Sequence, residues 1–108
     1  MTINALSTGE AYLYNIFIPI CTYQSDAIQS FMGYIYLHKI SFGDIIHIKL
    51  SVNGKVHLYT EYKDQQLMTV VHIAPVPLFK DDILKIEVRN ISQINVMTTL
   101  SYKFYLSK

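Results

Sequence analysis

Residues 42–62 read Phe42-Gly-Asp-Ile-Ile-His-Ile-Lys-Leu-Ser-Val-Asn-Gly-Lys-Val-His-Leu-Tyr-Thr-Glu-Tyr62, with apolar and polar positions alternating on both sides of one Asn-Gly. That pattern predicts a β-hairpin. Side chains alternate across a strand, so Ile46, Ile48 and Leu50 share one face and His47, Lys49 and Ser51 the other. Beyond the turn, Val56, Leu58 and Thr60 form a second inner row, with Lys55, His57, Tyr59 and Glu61 on the outer face.

Loop length decides which residues meet. A two-residue type I′ turn at Asn53-Gly54 sets Leu50 against His57 and Ile48 against Tyr59, which puts the apolar row of one strand beside the polar row of the other. A three-residue loop, Val52-Asn53-Gly54 with Gly54 in the left-handed conformation, sets Leu50 against Val56 and Ile48 against Leu58. Both apolar rows then share one face, so the three-residue loop is the expected one.

The same alternation recurs along the chain. Tyr12, Tyr14, Ile16 and Ile18 alternate with Leu13, Asn15 and Phe17 up to Pro19, and Cys21 to Ala27 is polar. Ile28 to Lys39 places Phe31, Gly33, Ile35 and Leu37 on one side and Met32, Tyr34, Tyr36 and His38 on the other. Leu67 to Ile73 is a short β-branched run; Pro75 and Pro77 then confine residues 74–77 to an edge or crossing segment, because each removes a ladder donor. Ile83 to Arg89 turns Leu84, Ile86 and Val88 inward, and Val96 to Leu106 closes the chain as a long, central strand. Residues 1–10 are polar and aperiodic and read as a loose arm before a single domain over residues 11–108. About seven strands with no helical period predict an all-β, antiparallel β-sandwich.

Composition narrows the function classes. In 108 residues there are nine Lys and Arg against eight Asp and Glu, a net charge of +1, so no long-range field draws the chain to nucleic acid or an anionic surface. Charged residues are only 16%, which leaves room for a buried interface between subunits. Cys21 stands alone, so neither an intrachain disulfide nor a cysteine-paired zinc site is available. No signal peptide and no membrane span is read, and synthesis in the cytoplasm is expected.

The order of motifs resembles the jelly-roll heads of the C1q and tumour-necrosis-factor-like superfamily, which also occur as fibre and attachment heads on phage virions. Phe31-Met-Gly-Tyr-Ile-Tyr-Leu37 looks like its Gly-x-Tyr-x-Phe strand and Leu50-Ser-Val-Asn-Gly54 like its Leu-x-x-Asn-Gly hairpin tip. Leu78-Phe-Lys-Asp-Asp-Ile-Leu-Lys-Ile86 looks like Leu-x-x-Gly-Asp-x-Val-x-Val, and Ser101-Tyr-Lys-Phe-Tyr-Leu106 like the closing strand. Asp81 and Lys103 stand where that family prefers Gly. The resemblance implies a homotrimer packed through aromatic faces and a role in recognition.

Chemistry-bearing residues add little to that. His47 and His57 lie diagonally on the outer hairpin face, and Glu61 is the one nearby third ligand of suitable type, so sheet polarity explains them better than a metal. Asp44, Asp64, Asp81 and Asp82 sit at turns, where Asp is ordinary, and Cys21 reads as a small buried hydrophobe. No catalytic, metal or cofactor site is expected. The expected interaction surface comprises His47, Lys49, His57, Tyr59, Tyr34 and Tyr36, in a non-enzymatic virion or fibre module that binds copies of itself, other structural proteins, or a surface receptor or glycan. The alternative is a carbohydrate-binding module that uses exposed Tyr as stacking platforms.

Overall fold

The alternating runs form eight strands: β1 (Ile3–Tyr12), β2 (Ile18–Gln24), β3 (Gln29–Leu37), β4 (Ile45–Val52), β5 (Lys55–Lys63), β6 (Thr69–Leu78), β7 (Ile83–Asn90) and β8 (Thr99–Ser107). The structure, a computed structural model, describes residues 3–37, 44–63, 69–91 and 99–107. Expectations for His38 and Lys39, for Asp64 to Met68 and for Val96 to Thr98 lie outside the described residues.

Two four-stranded antiparallel sheets face each other, in the orders β1-β8-β3-β6 and β2-β7-β4-β5. The pairs β1·β8, β2·β7, β3·β6 and β4·β5 nest inside one another, so the chain is doubled back on itself about the β4–β5 hairpin and then rolled. The β3·β8 and β4·β7 ladders join those pairs into sheets. This is an all-β sandwich with jelly-roll strand order. Every connection except β4–β5 crosses between the sheets.

The core lies where the predicted inner rows meet. Ile46, Ile48 and Leu50 of β4, Leu84, Ile86 and Val88 of β7, and Phe31, Ile35 and Leu37 of β3 have no exposed surface. Each such side chain contributes about 2 kcal/mol by leaving water. Phe31 and Phe104 pack with ring centroids 5.2 Å apart. Gly33 lets β8 approach: a Cβ there would lie 2.2 Å from the Lys103 carbonyl oxygen and 2.9 Å from Phe104 Cα.

Three expectations change. Residues 3–12 are a strand paired with β8 rather than a loose arm. Residues 13–17 are a connection, not the strand their alternation suggested, and β2 runs through Pro19 and Cys21, with a register shift between them where the missing donor is tolerated. Residues 74–77 take the edge placement that their prolines predicted: β6 continues through Pro75 and Pro77 as one strand at a sheet edge.

The hairpin takes neither simple register. Asn53 and Gly54 both have positive φ, 53° and 82°, so the turn is the two-residue type I′ that the dipeptide favours. Val52 pairs with Lys55 and Ser51 with Val56, but Leu50 pairs with Leu58, leaving His57 as an extra residue in a bulge. The bulge restores what the sequence demanded, a shared face for both apolar rows, by a different route. Val56 thereby leaves the inner row and is half exposed.

At the hairpin end three connections are tied together. Asn53 Nδ2 donates to Asp82 Oδ1 (2.9 Å), and Ile83 N–H donates to Asn53 Oδ1 (2.9 Å). Ser25 N–H donates to the Asp82 carbonyl (2.8 Å) and Asp81 N–H to the Ser25 carbonyl (2.7 Å).

Candidate functional site

β4 is buried on both faces over most of its length, which an amphipathic strand on a solvated sheet would not be. Over His47 and Lys49 the cover is Phe17, at the end of the β1–β2 connection, whose ring lies on the outer face of the β2-β7-β4-β5 sheet. Arg89 Cζ lies 4.1 Å and Lys49 Nζ 4.3 Å from the Phe17 ring centre, both cation–π contacts. The Phe17 ring also packs near His47 and Tyr59, at 6.4 Å and 6.2 Å between centroids.

Beneath this cap His47 is only 5% exposed, so it is not the solvated sheet residue expected. Arg89 Nε–H donates to His47 Nδ1 at 2.9 Å. Nδ1 is therefore the acceptor, and His47 Nε2–H donates to Glu61 Oε2 at 2.6 Å. Arg89 Nη2 donates to the Tyr59 hydroxyl (3.1 Å), which lies 3.2 Å from Nδ1. Lys49 pairs with Glu87 at 3.7 Å. The hydrogen bond from His47, followed by that from Lys63, holds the Glu61 carboxyl below its ordinary range.

Of the six expected surface residues, this face gathers His47, Lys49 and Tyr59. Sequence reasoning placed Glu61 beside them but missed Phe17, Glu87 and Arg89. The signal for the last two was the row Lys85, Glu87, Arg89, since the β4·β7 ladder pairs His47 with Arg89 and Lys49 with Glu87. Phe17 carried no signal.

Tyr34 and Tyr36 lie on the opposite outer face, that of β1-β8-β3-β6. Their rings meet edge to face at 4.9 Å, and Tyr34 also approaches Tyr105 (6.3 Å) and His72 (6.4 Å). The hydrogen bond with Tyr34 is the main cause that raises the Tyr36 phenol above its ordinary range. His57 belongs to neither face. It lines a groove of about 280 Å³ between the edges β5 and β6, with Leu50, Leu58, Pro75 and Val76 among its walls.

Among the described residues no group of three or more His, Cys, Asp or Glu is arranged to hold a metal ion, and no helix is long and apolar enough to cross a membrane. Cys21 is buried, and burial pushes its thiol up to about 11, so little thiolate forms near neutral pH.

No protein-family model and no curated protein matches the chain. Among solved structures, a chain in the structure of infectious bursal disease virus, Gx strain, matches with a TM-score of 0.53 and 11% identity over 97% of this chain and 32% of that one. This chain thus spans about a third of the length of the chain it matches. The likeness is one of fold, a β-sandwich present in a virus structure.

Proposed function

We propose that this chain is a non-enzymatic structural or attachment module of a virion or fibre, acting by self-association and protein recognition, with a homotrimer as its assembled form. The observation that carries the reading is the fold likeness of nearly the whole chain to part of a chain in a virus structure. The trimer follows from the C1q and tumour-necrosis-factor-like resemblance, which implies packing through aromatic faces. Tyr34, Tyr36 and Tyr105 supply such a face on the β1-β8-β3-β6 sheet. Size-exclusion chromatography with light scattering at micromolar concentration tests it. A mass near three chains supports the reading, and a monomer overturns it.

A second reading, carbohydrate binding, draws on the same cluster, since partly exposed Tyr rings are platforms for sugar stacking. Glycan-array binding that is lost with Tyr36→Ala favours it. Silence across the array removes it.

A further inference from the structure

We infer that His47 and Arg89 form a proton-gated latch: a proton taken up at His47 Nδ1 displaces Arg89 and frees Phe17, loosening the β1–β2 connection from the face of the β2-β7-β4-β5 sheet. The geometry defines two complete hydrogen-bond states. In the first, the one observed, Nδ1 accepts from Arg89 Nε–H at 2.9 Å and Nε2–H donates to Glu61 at 2.6 Å. Once Nδ1 carries a proton, two donors and two positive charges face each other across that 2.9 Å, and the bond to Arg89 cannot persist.

The second state already has its acceptor. The Tyr59 oxygen lies 3.2 Å from Nδ1 and takes the new N–H, while Nε2–H keeps Glu61. The imidazolium is then satisfied at both nitrogens, while Arg89 loses its acceptor on His47 and must share the Tyr59 oxygen with a positively charged ring. An element with two satisfied arrangements separated by one proton is what a switch requires.

Among the described residues, every charged group packed around the ring enters the balance. From β4 comes Lys49, paired with Glu87; from β5 come Tyr59 and Glu61, with Lys63 on the far oxygen of Glu61 at 3.2 Å; from β7 come Arg89 and Glu87, the latter also 4.0 Å from Lys85. Glu61 is the anion bonded to the ring, and Arg89 and Lys49 are the cations beside it. Arg89 is the one that can swing away, because its side-chain hydrogen bonds to the described residues end on His47 and Tyr59. Its departure removes one of the two cations held against Phe17. The connection stays fixed at both ends, by the bond from Asn90 N–H to the Tyr14 carbonyl (2.8 Å) and by the pairing of Ile18 with Val88, so the release is confined to residues 15–17 between them.

The test is an NMR titration of the whole chain between pH 8 and pH 5, following the His47 ring nitrogens and the Arg89 Nε–H cross-peak. The expected result is loss of the Arg89 Nε–H signal with the same midpoint as protonation of Nδ1, together with movement of the Phe17 ring signals. In His47→Gln the Arg89 signal should show no such pH dependence. If Arg89 Nε–H survives in wild type after the ring is charged, or if the two midpoints differ, the latch is wrong. That outcome is read from wild type alone and does not depend on the variant folding.

Discussion

Asn53 Nδ2 donates to Asp82 Oδ1 at 2.9 Å, joining two turns 29 residues apart in the chain. The link brings together the Asn-Gly tip and the Asp-Asp turn, two motifs that the sequence offered separately. Asn53 is held from both sides, since its own Oδ1 accepts from Ile83 N–H. It also occupies the left-handed region at φ 53°, where Asn is better tolerated than most residues. Asn53→Ala should cost about 2 kcal/mol, the sum of backbone strain and lost hydrogen bonds. Asn53→Gly should cost less, because it restores the backbone alone. Urea unfolding of the two variants checks the order.

The same contact predicts an acid limb. The hydrogen bond from Phe79 N–H, and after it that from Asn53, holds the Asp82 carboxyl below its ordinary range. A carboxyl depressed in the folded state contributes stability that is present above its unfolded pKa and lost as pH falls through its folded value. Glu61 behaves alike for its own reasons. Thermal melts from pH 7 down to pH 2 should show Tm falling below the ordinary carboxylate range, with a smaller fall in Asp82→Asn. Equal slopes for the two proteins would remove Asp82 from the account.

What was legible in the sequence follows from what each residue depends on. The inner rows of β4 and β7 were readable because alternation is local, and a sheet face needs no distant information. β1 was not, because an edge strand with Asn4, Ser7, Thr8 and Glu10 shows little apolar period, and its partner β8 lies some ninety residues away, as in the Gly9 to Tyr102 pairing. The burial of His47 was unreadable for a related reason: it depends on Phe17, which arrives from a connection that looked like a strand. The six residues expected to form one surface are distributed by the roll over two opposite faces and a groove, because alternation along a strand does not say which strands share a sheet.

Gly33 tests the close approach of β3 and β8. Gly33→Ala would set a Cβ 2.2 Å from the Lys103 carbonyl oxygen and 2.8 Å from Phe104 Cδ1, and neither backbone nor a core ring can retreat cheaply. A loss of about 3 kcal/mol is expected. Gly54→Ala meets nothing within 4 Å, yet its φ of 82° makes it costly by about 1 kcal/mol. Chemical denaturation should rank Gly33→Ala well below Gly54→Ala; the reverse order would refute the packing argument.

Cys21 should resist modification. Its thiol is buried and pushed up to about 11, so 5,5′-dithiobis(2-nitrobenzoic acid) at pH 7.5 should label the native chain far more slowly than the chain in urea. The raised value also has a sign: the folded chain holds this proton more tightly, so the contribution is intact below the ordinary value of 9.0 and is lost as pH rises toward 11. Cys21→Ala should flatten that alkaline limb.

The hairpin bulge makes the sharpest prediction. Because His57 is the extra residue between the Ser51–Val56 and Leu50–Leu58 pairs, deleting it leaves every other β4–β5 pair in place and straightens the ladder. The deletion should keep the fold, at a cost of about 1 kcal/mol or less. Deleting Tyr59 is different. The chain can absorb that loss only by straightening the same bulge, which turns His57 inward against Leu50 and Leu58 outward against Lys49, the arrangement that a one-residue slip imposes. That variant should be destabilised by about 3 kcal/mol, through exposing Leu58 and burying an imidazole without a partner. Similar melting temperatures for the two deletions would show that the bulge does not set the register of β5.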